Sequence, residues 1–234
     1  MTTWPVRCYD STASGGVIFD LDGTLVDTLK DIAASMNRAL EFHGFPPVAL
    51  EEYPTKVGWG IRRLAQLCLP PRVRESSAED AVTETVAQDA RRFYQEQPLV
   101  HSVPYPGIPG LVAGLKRRGL KIAVLTNKPD PVAQFVIGAL FPPDSFDQVR
   151  GDRPGLPRKP DPRVTVALLQ VLAVSPEATL LVGDSEIDME AAHTAGCTAL
   201  GVSWGYRPQS VLEQSGAAHI LHRPDDLYQY LPLA

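Results

Sequence analysis

The sequence predicts an α/β fold: a parallel sheet with helices on both faces and a small α-helical cap domain inserted near the start of the chain. After residue 100, short apolar runs typical of buried strands alternate with stretches of helical periodicity, the pattern of a parallel sheet. Between residues 28 and 100 only helical patterns occur, although a single βα crossover needs far less chain. We therefore assign residues 15–27 and 101–234 to the core, 28–100 to the cap and 1–14 to an N-terminal extension.

The first predicted strand, at residues 17–21, carries two acids. Asp20 and Asp22 lie two residues apart, so an extended backbone directs both carboxylates to one side. Gly23 permits a sharp turn, and Thr24 begins the exit toward a helix. Like charges at the end of a buried strand are costly unless a cation neutralises them, and Mg²⁺ is the cation that best fits such hard oxygen ligands.

Two plainer interpretations compete for the same residues. The Asp22-Gly23 pair fits a hairpin turn, but that would leave the second acid and the apolar run before it unexplained. The pattern D-x-D-G also resembles the start of an EF-hand loop, which needs glycine at its sixth position, where Leu25 stands here. The paired acids after an apolar strand therefore favour a catalytic site.

These residues resemble the first motif, DxDGT, of the haloacid dehalogenase-like superfamily. The resemblance implies a Rossmann-like core in which Asp20 attacks phosphorus and forms an aspartyl-phosphate. It implies that Asp22 is the general acid/base and that a helical cap follows the first motif directly.

Further elements follow from periodicity along the chain. In the cap, apolar spacing predicts helices around residues 29–40, 61–68 and 76–93, the last opened by a capping box of Ser76 and Glu79. In the core, the patterns predict strands at 121–126, 146–149, 179–183, 198–203 and 219–221, and helices around 111–119, 132–140, 164–171, 191–195, 211 and 225–230. Ligands bind such sheets at the carboxyl ends of the strands, so each strand end was searched for reactive residues.

The second strand of the core ends in Thr126, Asn127 and Lys128. By themselves these residues fit a turn before a helix, but beside the Asp20 strand a hydroxyl and an amide can hold phosphate oxygens. Thr126 matches the second motif of the family, and TNKP is the form seen in phosphoglycolate phosphatase-like members.

Lys159 lies in a proline-rich loop, where a lone lysine is usually solvated. A carboxylate that attacks a phosphate dianion needs positive charge to shield the repulsion, however. Lys159 matches the third motif of the family in its KPxP setting, so we assign it to the site.

Asp184 stands just beyond another buried strand, and Asp188 follows one helical turn later. Acids at a helix start are also favoured by the helix dipole, which is the simpler explanation for Asp188. Their GDxxxD spacing resembles the fourth motif. The resemblance implies that Asp184 is a metal ligand, with Asp20 and the carbonyl of Asp22, and that Asp188 is a supporting acid.

Composition excludes several classes of protein. A net charge of −5 argues against a nucleic-acid surface, and no apolar run is long enough to span a membrane. The first residues have no stretch of signal-peptide type, and Cys8, Cys68 and Cys197 are too few and too widely spaced for a disulfide framework or a zinc site. We expect a cytoplasmic protein, monomeric or homodimeric, without nucleic-acid or membrane partners.

The presence of Asp22 favours hydrolysis of a phosphate ester over dehalogenation, because an alkoxide leaving group needs a proton and a halide does not. Segments such as DIAASMNRALEFHGFPP, TNKP and SWGYRP look like phosphoglycolate phosphatase-like proteins, which implies 2-phosphoglycolate as the substrate. Sugar-phosphate, nucleotide and pyrophosphate phosphatases and β-phosphoglucomutase-like mutases remain alternatives, as does a phosphate-binding regulator without turnover.

Substrate discrimination is expected to come from the cap, because the core sees only the phosphoryl group. The turn at residues 57–63 is the predicted contact, since Gly58 and Gly60 make it mobile and Arg62 offers a cation for a substrate carboxylate. Gly23, Gly58 and Arg62 are the candidate substrate-binding residues, although charges such as Arg62 often only coat a helix.

Overall fold

A six-stranded parallel sheet forms the core of this computed structural model, which describes residues 15–231. The N-terminal extension predicted at residues 1–14 lies outside the described residues. The strands are β1 Gly16–Phe19, β2 Val26–Asp27, β3 Val103–Pro104, β4 Lys121–Pro129, β5 Gln148–Asp152, β6 Thr179–Gly183, β7 Thr198–Val202 and β8 His219–Leu221. The α-helices are α1 Leu29–Phe42, α2 Ile61–Cys68, α3 Pro71–Arg74, α4 Glu79–Glu96, α5 Ile108–Arg117, α6 Asp130–Leu140, α7 Pro162–Leu172, α8 Glu186–Ala195 and α9 Gln209–Gln214, and short 3₁₀ helices cover Leu50–Thr55, Pro176–Ala178 and Pro224–Tyr230.

The strand order β5-β4-β1-β6-β7-β8 reverses at β1, so β1 is a central strand with parallel neighbours on both sides. Phe19, its last residue, pairs with Val124 of β4 and Val182 of β6. The predicted α/β fold is confirmed. Because a doubly wound sheet opens a crevice where the strand order reverses, the residue after Phe19 emerges where a ligand can bind.

Alternate residues of β1 face two separate hydrophobic clusters. Val17 and Phe19 pack into the larger cluster, whereas Ile18 packs into the smaller one with Leu168 of α7 and Met189 of α8. Each strand residue is therefore buried on one face or the other, which explains why these strands are continuous apolar runs and not alternating ones.

The helices between β2 and β3 form the inserted segment that the sequence predicts as a cap. Met36 of α1, Leu64 of α2 and Val86 of α4 are buried in the same cluster as Phe19 of the sheet. The antiparallel pair β2–β3 joins the two points where the chain leaves and re-enters the core. The predicted capping box is wrong, since Ala78 precedes α4 without a side-chain cap and the Ser76 hydroxyl donates to the Val73 carbonyl at 2.7 Å.

The strand pair β2–β3 and the helix α3 were not predicted from the sequence. Strands of two residues and a helix of four are too short to show a periodic pattern. Among the described residues, no helix is both long and apolar enough to cross a bilayer. Cys68 and Cys197 are buried free thiols.

Arg207, in the loop after β7, connects the core to the inserted segment. Its guanidinium donates to the carbonyls of Pro54 and Val57, the latter at 2.8 Å, and pairs with Glu186 at 3.0 Å. The side chain is buried, so these contacts replace the water that the guanidinium loses.

We expect Arg207→Met to lower the free energy of unfolding by about 1–3 kcal/mol, because it leaves the Pro54 and Val57 carbonyls without a donor. Urea denaturation measures the change. Arg163→Met is the control, since Arg163 is exposed and, among residues 15–231, forms an ion pair with Asp161 alone; we expect a change within about 0.5 kcal/mol. Equal losses in the two variants would contradict a bridging role for Arg207.

Candidate active site

The candidate site lies at the carboxyl ends of β1, β4 and β6. Asp20 follows β1 and its backbone N–H donates to the Val182 carbonyl of β6 at 2.9 Å, which holds it level with the end of that strand. Thr126 lies near the end of β4, and Asp184 follows β6 directly. The parallel pairing therefore brings together residues that are more than a hundred positions apart in the chain.

Three buried acids converge there. One carboxylate oxygen from each of Asp20, Asp184 and Asp188 lies within 4.8 Å of the others. Only oxygen ligands are present in this cluster, which is the donor set that Mg²⁺ and Ca²⁺ prefer. The residues therefore fit a hard divalent cation.

Lys159 is the buried cation of this cluster. Its ammonium donates to Asp20 Oδ1 at 2.8 Å and to Asp188 Oδ1 at 2.6 Å. Asp188 is fixed in turn, because its Oδ2 accepts from the hydroxyl and the backbone N–H of Ser185 at 2.6 and 3.1 Å. Lys159 thus holds one oxygen of Asp20, and Asp188 holds Lys159.

The pKa values reflect this crowding. Burial, together with the nearby carboxylate of Asp188, raises the pKa of Asp20 to about 7, against the attraction of Lys159, which lowers it. Burial, with the charges of Asp188 and Asp20, raises the pKa of Asp184 well above its usual range. Burial opposes the charge on Lys159, but the two carboxylates in contact with it raise its pKa above the ordinary value. Another positive charge among these acids would favour their ionised forms.

Asp22 lies apart from that cluster and has its own partners. Its Oδ1 accepts from the Lys128 ammonium at 2.9 Å and from the Thr28 hydroxyl at 2.6 Å. Lys128 is buried and lies over the ring of Tyr94, 4.3 Å from its centroid. The Tyr206 hydroxyl lies 3.2 Å from the Thr28 hydroxyl. The two acids of the first motif are therefore each paired with a different buried lysine.

Thr126 and Asn127 differ in what they offer a ligand. The Thr126 hydroxyl accepts from the Lys128 backbone N–H at 3.2 Å, which leaves its proton available for a ligand oxygen. The Asn127 amide donates to the carbonyls of Gly58 and Lys159, both at 3.0 Å. Both hydrogens of that amide therefore hold the inserted turn and the Lys159 loop in place, and its contact with phosphate stays a prediction.

Gly23 permits a close backbone approach and does not line the cavity of the site. Its φ is +86°, and a Cβ there would lie 2.3 Å from Asp184 Oδ2. Asp184 is held at this position by the Tyr206 backbone N–H, which donates to it at 2.7 Å. The glycine at position 23 is therefore explained by the closeness of Asp184 and not by the predicted contact with substrate.

A cavity of about 70 Å³ opens beside these acids, between the sheet and the inserted helices. From the core, Asp20, Asp22, Thr126, Asn127, Lys128, Pro129 and Val132 line it. From the inserted segment, Ile32, Ser35, Met36, Val57, Gly58, Gly60, Ile61, Leu64, Arg91 and Tyr94 line it. The predicted contribution of the turn at Gly58 agrees with this arrangement.

The structure places Arg62 elsewhere, which corrects its predicted contact with substrate. Its guanidinium pairs with Asp80 at 2.7 Å and with Glu84 at 3.5 Å, and its side chain is 47% exposed. Ile61 and Leu64, on the other face of the same helix, point to the cavity instead. Neighbouring residues of a helix point in different directions, so Arg62 faces the acids of α4 while Ile61 and Leu64 face the cavity.

Five of the described residues contact the site acids but were not among the predicted site residues: Thr24, Thr28, Lys128, Ser185 and Tyr206. Lys128 lies inside the TNKP sequence and Tyr206 inside SWGYRP, so both stand in segments that the resemblance had already singled out. Thr28 and Ser185 carry no sequence signal for their roles, because each acts through a contact that only the folded chain creates.

Comparison with known proteins agrees with this geometry. The family model of the haloacid dehalogenase-like hydrolases matches residues 17–202. A phosphoglycolate phosphatase of Aquifex aeolicus is 32% identical over 92% of this chain and 95% of its own length, and one of Neisseria meningitidis is 33% identical over 92% and 90%. A crystal structure from Haemophilus somnus, described as a predicted phosphoglycolate phosphatase, superposes with a TM-score of 0.83 at 28% identity over 94% of this chain and 99% of that one.

A divalent cation should stabilise the folded protein through Asp184. At a free concentration about a hundred times its dissociation constant, bound Mg²⁺ should raise the melting temperature by about 5–10 °C, since it binds only the native cluster. Thermal melting of the wild type and of Asp184→Asn, with Mg²⁺ and with chelator, measures this. We expect the variant to lose most of the rise and a control outside the cluster, Asp161→Asn at the N-cap of α7, to keep it, since asparagine also caps a helix. Equal rises in both variants would refute the site.

Proposed function

The chain belongs to the haloacid dehalogenase-like hydrolases, and from that membership we propose that it is a Mg²⁺-dependent phosphatase that hydrolyses 2-phosphoglycolate through an aspartyl-phosphate. The observation that carries this proposal is that Asp20 and Asp22 line the same small cavity while each contacts a different buried lysine. Two carboxylates with separate partners can take two separate roles in one reaction.

Asp20 is the proposed nucleophile. Lys159 holds its Oδ1, and among the described residues no hydrogen bond reaches its Oδ2, which remains available to attack. As the bond from Asp20 to phosphorus forms, the bond from phosphorus to the ester oxygen breaks. The Thr126 hydroxyl, at the end of the neighbouring strand, donates to a phosphoryl oxygen in this arrangement, and the charge of Lys159 offsets the repulsion between two anions.

Asp22 is the proposed acid and base. The leaving oxygen needs a proton, and Asp22 supplies it; the same carboxylate then takes a proton from water. That water attacks phosphorus, the bond from phosphorus to Asp20 breaks, and inorganic phosphate leaves with Asp20 restored. Lys128 and Thr28 both bind Asp22 Oδ1, so they fix the direction of the other oxygen, which delivers the proton.

Asp20, Asp184 and the backbone carbonyl of Asp22 are the proposed ligands of Mg²⁺, with Asp188 in support. When bound, Mg²⁺ would draw negative charge from the phosphoryl oxygens and favour the ionised form of the acids around it. The hydrogen bonds from Lys159 and Ser185 to Asp188 support its secondary role, since both of its oxygens already have donors.

The size of the cavity supports a small ester. A volume of about 70 Å³ is compatible with a two-carbon phosphate ester. The names of the relatives point the same way, because those with 32% and 33% identity are phosphoglycolate phosphatases.

The direct test is turnover of 2-phosphoglycolate against a panel that includes a hexose phosphate, a nucleoside monophosphate and pyrophosphate, with Mg²⁺ and after chelation. We expect the highest kcat/KM for 2-phosphoglycolate and loss of activity without Mg²⁺. An aryl phosphate serves as a generic substrate, since a regulator without turnover would release no phenol from it. Full activity after exhaustive chelation, or a clear preference for another ester, would overturn the corresponding part of the proposal.

The two acids should respond differently to removal of their charge. Asp20→Asn should abolish turnover of every ester, because an amide is a poor nucleophile. Asp22→Asn should reduce kcat for alkyl phosphates by roughly a hundred- to ten-thousandfold but affect aryl phosphates much less, since a phenolate leaves without a proton. Single-turnover and steady-state rates on both ester classes measure this. If Asp22→Asn slowed both classes equally, Asp22 would have a structural role and not that of the acid.

A further inference from the structure

We propose that Arg91 of α4 binds the carboxylate of the substrate and so selects phosphomonoesters that carry an acid group close to the phosphate. This inference rests on the proposed function and names the residue that would set its specificity. It replaces Arg62, whose guanidinium lies outside the cavity.

The charges along the cavity wall single out Arg91. Asp20, Asp22, Lys128 and Arg91 are the charged residues that line it. Lys128 is already paired with Asp22 at 2.9 Å, so a substrate carboxylate at Lys128 would compete with that acid and repel it. Within residues 15–231, Arg91 has neither a salt bridge nor a side-chain hydrogen bond, whereas its neighbours Arg62 and Arg92 are paired with acids. Arg91 therefore contributes a positive charge with no protein partner.

The position of Arg91 suits the far end of a short substrate. It stands three residues before Tyr94, so one face of α4 directs both side chains toward the cavity. Tyr94 covers Lys128, next to Asp22, where the ester oxygen would lie. A group that extends from that oxygen toward the inserted helices would approach the part of the cavity wall that Arg91 and Tyr94 form together.

The rest of the wall strengthens this interaction. Most of the side chains from the inserted segment are apolar, namely Ile32, Met36, Val57, Ile61 and Leu64. An anionic group that enters such surroundings without a partner would lose its hydration and gain nothing in return. A planar guanidinium can bind a carboxylate with two parallel hydrogen bonds. Arg91 would therefore bind the acidic end of the ester and leave the phosphoryl group to the residues of the core.

The test compares two esters that differ in the carboxylate, 2-phosphoglycolate and ethyl phosphate. Arg91→Gln should lower kcat/KM for 2-phosphoglycolate by roughly ten- to a hundredfold and leave ethyl phosphate within about twofold. Arg91→Lys should recover part of the loss. Arg62→Gln, on a neighbouring helix of the same segment but outside the cavity, is the matched control and should leave both esters within about twofold.

The turnover of ethyl phosphate also shows that each variant is folded, so the result does not depend on a separate stability measurement. Equal losses on both esters, or none on either, would overturn the role of Arg91 while a wild-type preference for 2-phosphoglycolate left the proposed function standing. If the wild type itself did not prefer 2-phosphoglycolate to ethyl phosphate, the proposed function would fail and the inference with it.

Discussion

The concentration of charge at the carboxyl end of β1 is the constraint on which the rest of the structure depends. Asp20, Asp184 and Asp188 are all buried within one small region, where repulsion and lost hydration both oppose their ionised forms. Lys159 compensates part of this cost inside the cluster, and Lys128 does the same for Asp22. Such an arrangement destabilises the folded chain locally, and a parallel sheet with two apolar faces supplies the stability that tolerates it.

The inserted segment controls the dielectric of the site as well as its shape. It shares one hydrophobic cluster with a face of the sheet, and Arg207 and Asn127 tie its backbone to the core through three carbonyls, those of Pro54, Val57 and Gly58. The Asn127 amide also donates to the Lys159 carbonyl. The Asn127 amide therefore couples the position of the inserted turn to that of Lys159, and the charged contacts in this buried region are stronger than they would be in water.

The sequence was most informative where a pattern is local. Strands at Thr179–Gly183 and His219–Leu221 could be predicted to the residue because apolar runs end at turn residues there. The acids of the site could be found because they follow such strands. Lys159, the partner of Asp20 and Asp188, was found through its motif. The role of Tyr206 could not be predicted, since it meets Thr28 only through a contact between residues 178 positions apart. The direction of the Arg62 side chain could not be predicted either, because it depends on which face of α2 packs inward. In the structure Arg62 pairs with Asp80 and Glu84 of α4.

In the proposed reaction, the core and the inserted segment contact different parts of the substrate, and this determines which of them can select it. Every phosphate ester presents the same phosphoryl group to Asp20 and Thr126, so these residues cannot distinguish one ester from another. Discrimination needs a group that meets the part of the substrate beyond the ester oxygen, and α1, α2 and α4 supply the cavity wall that the proposed substrate would meet there. Most of that wall is apolar and selects substrates by size, while Arg91 adds a positive charge that, as proposed, selects substrates with a carboxylate. Substitutions in this wall would therefore alter which ester fits while they leave the buried charges of the core untouched.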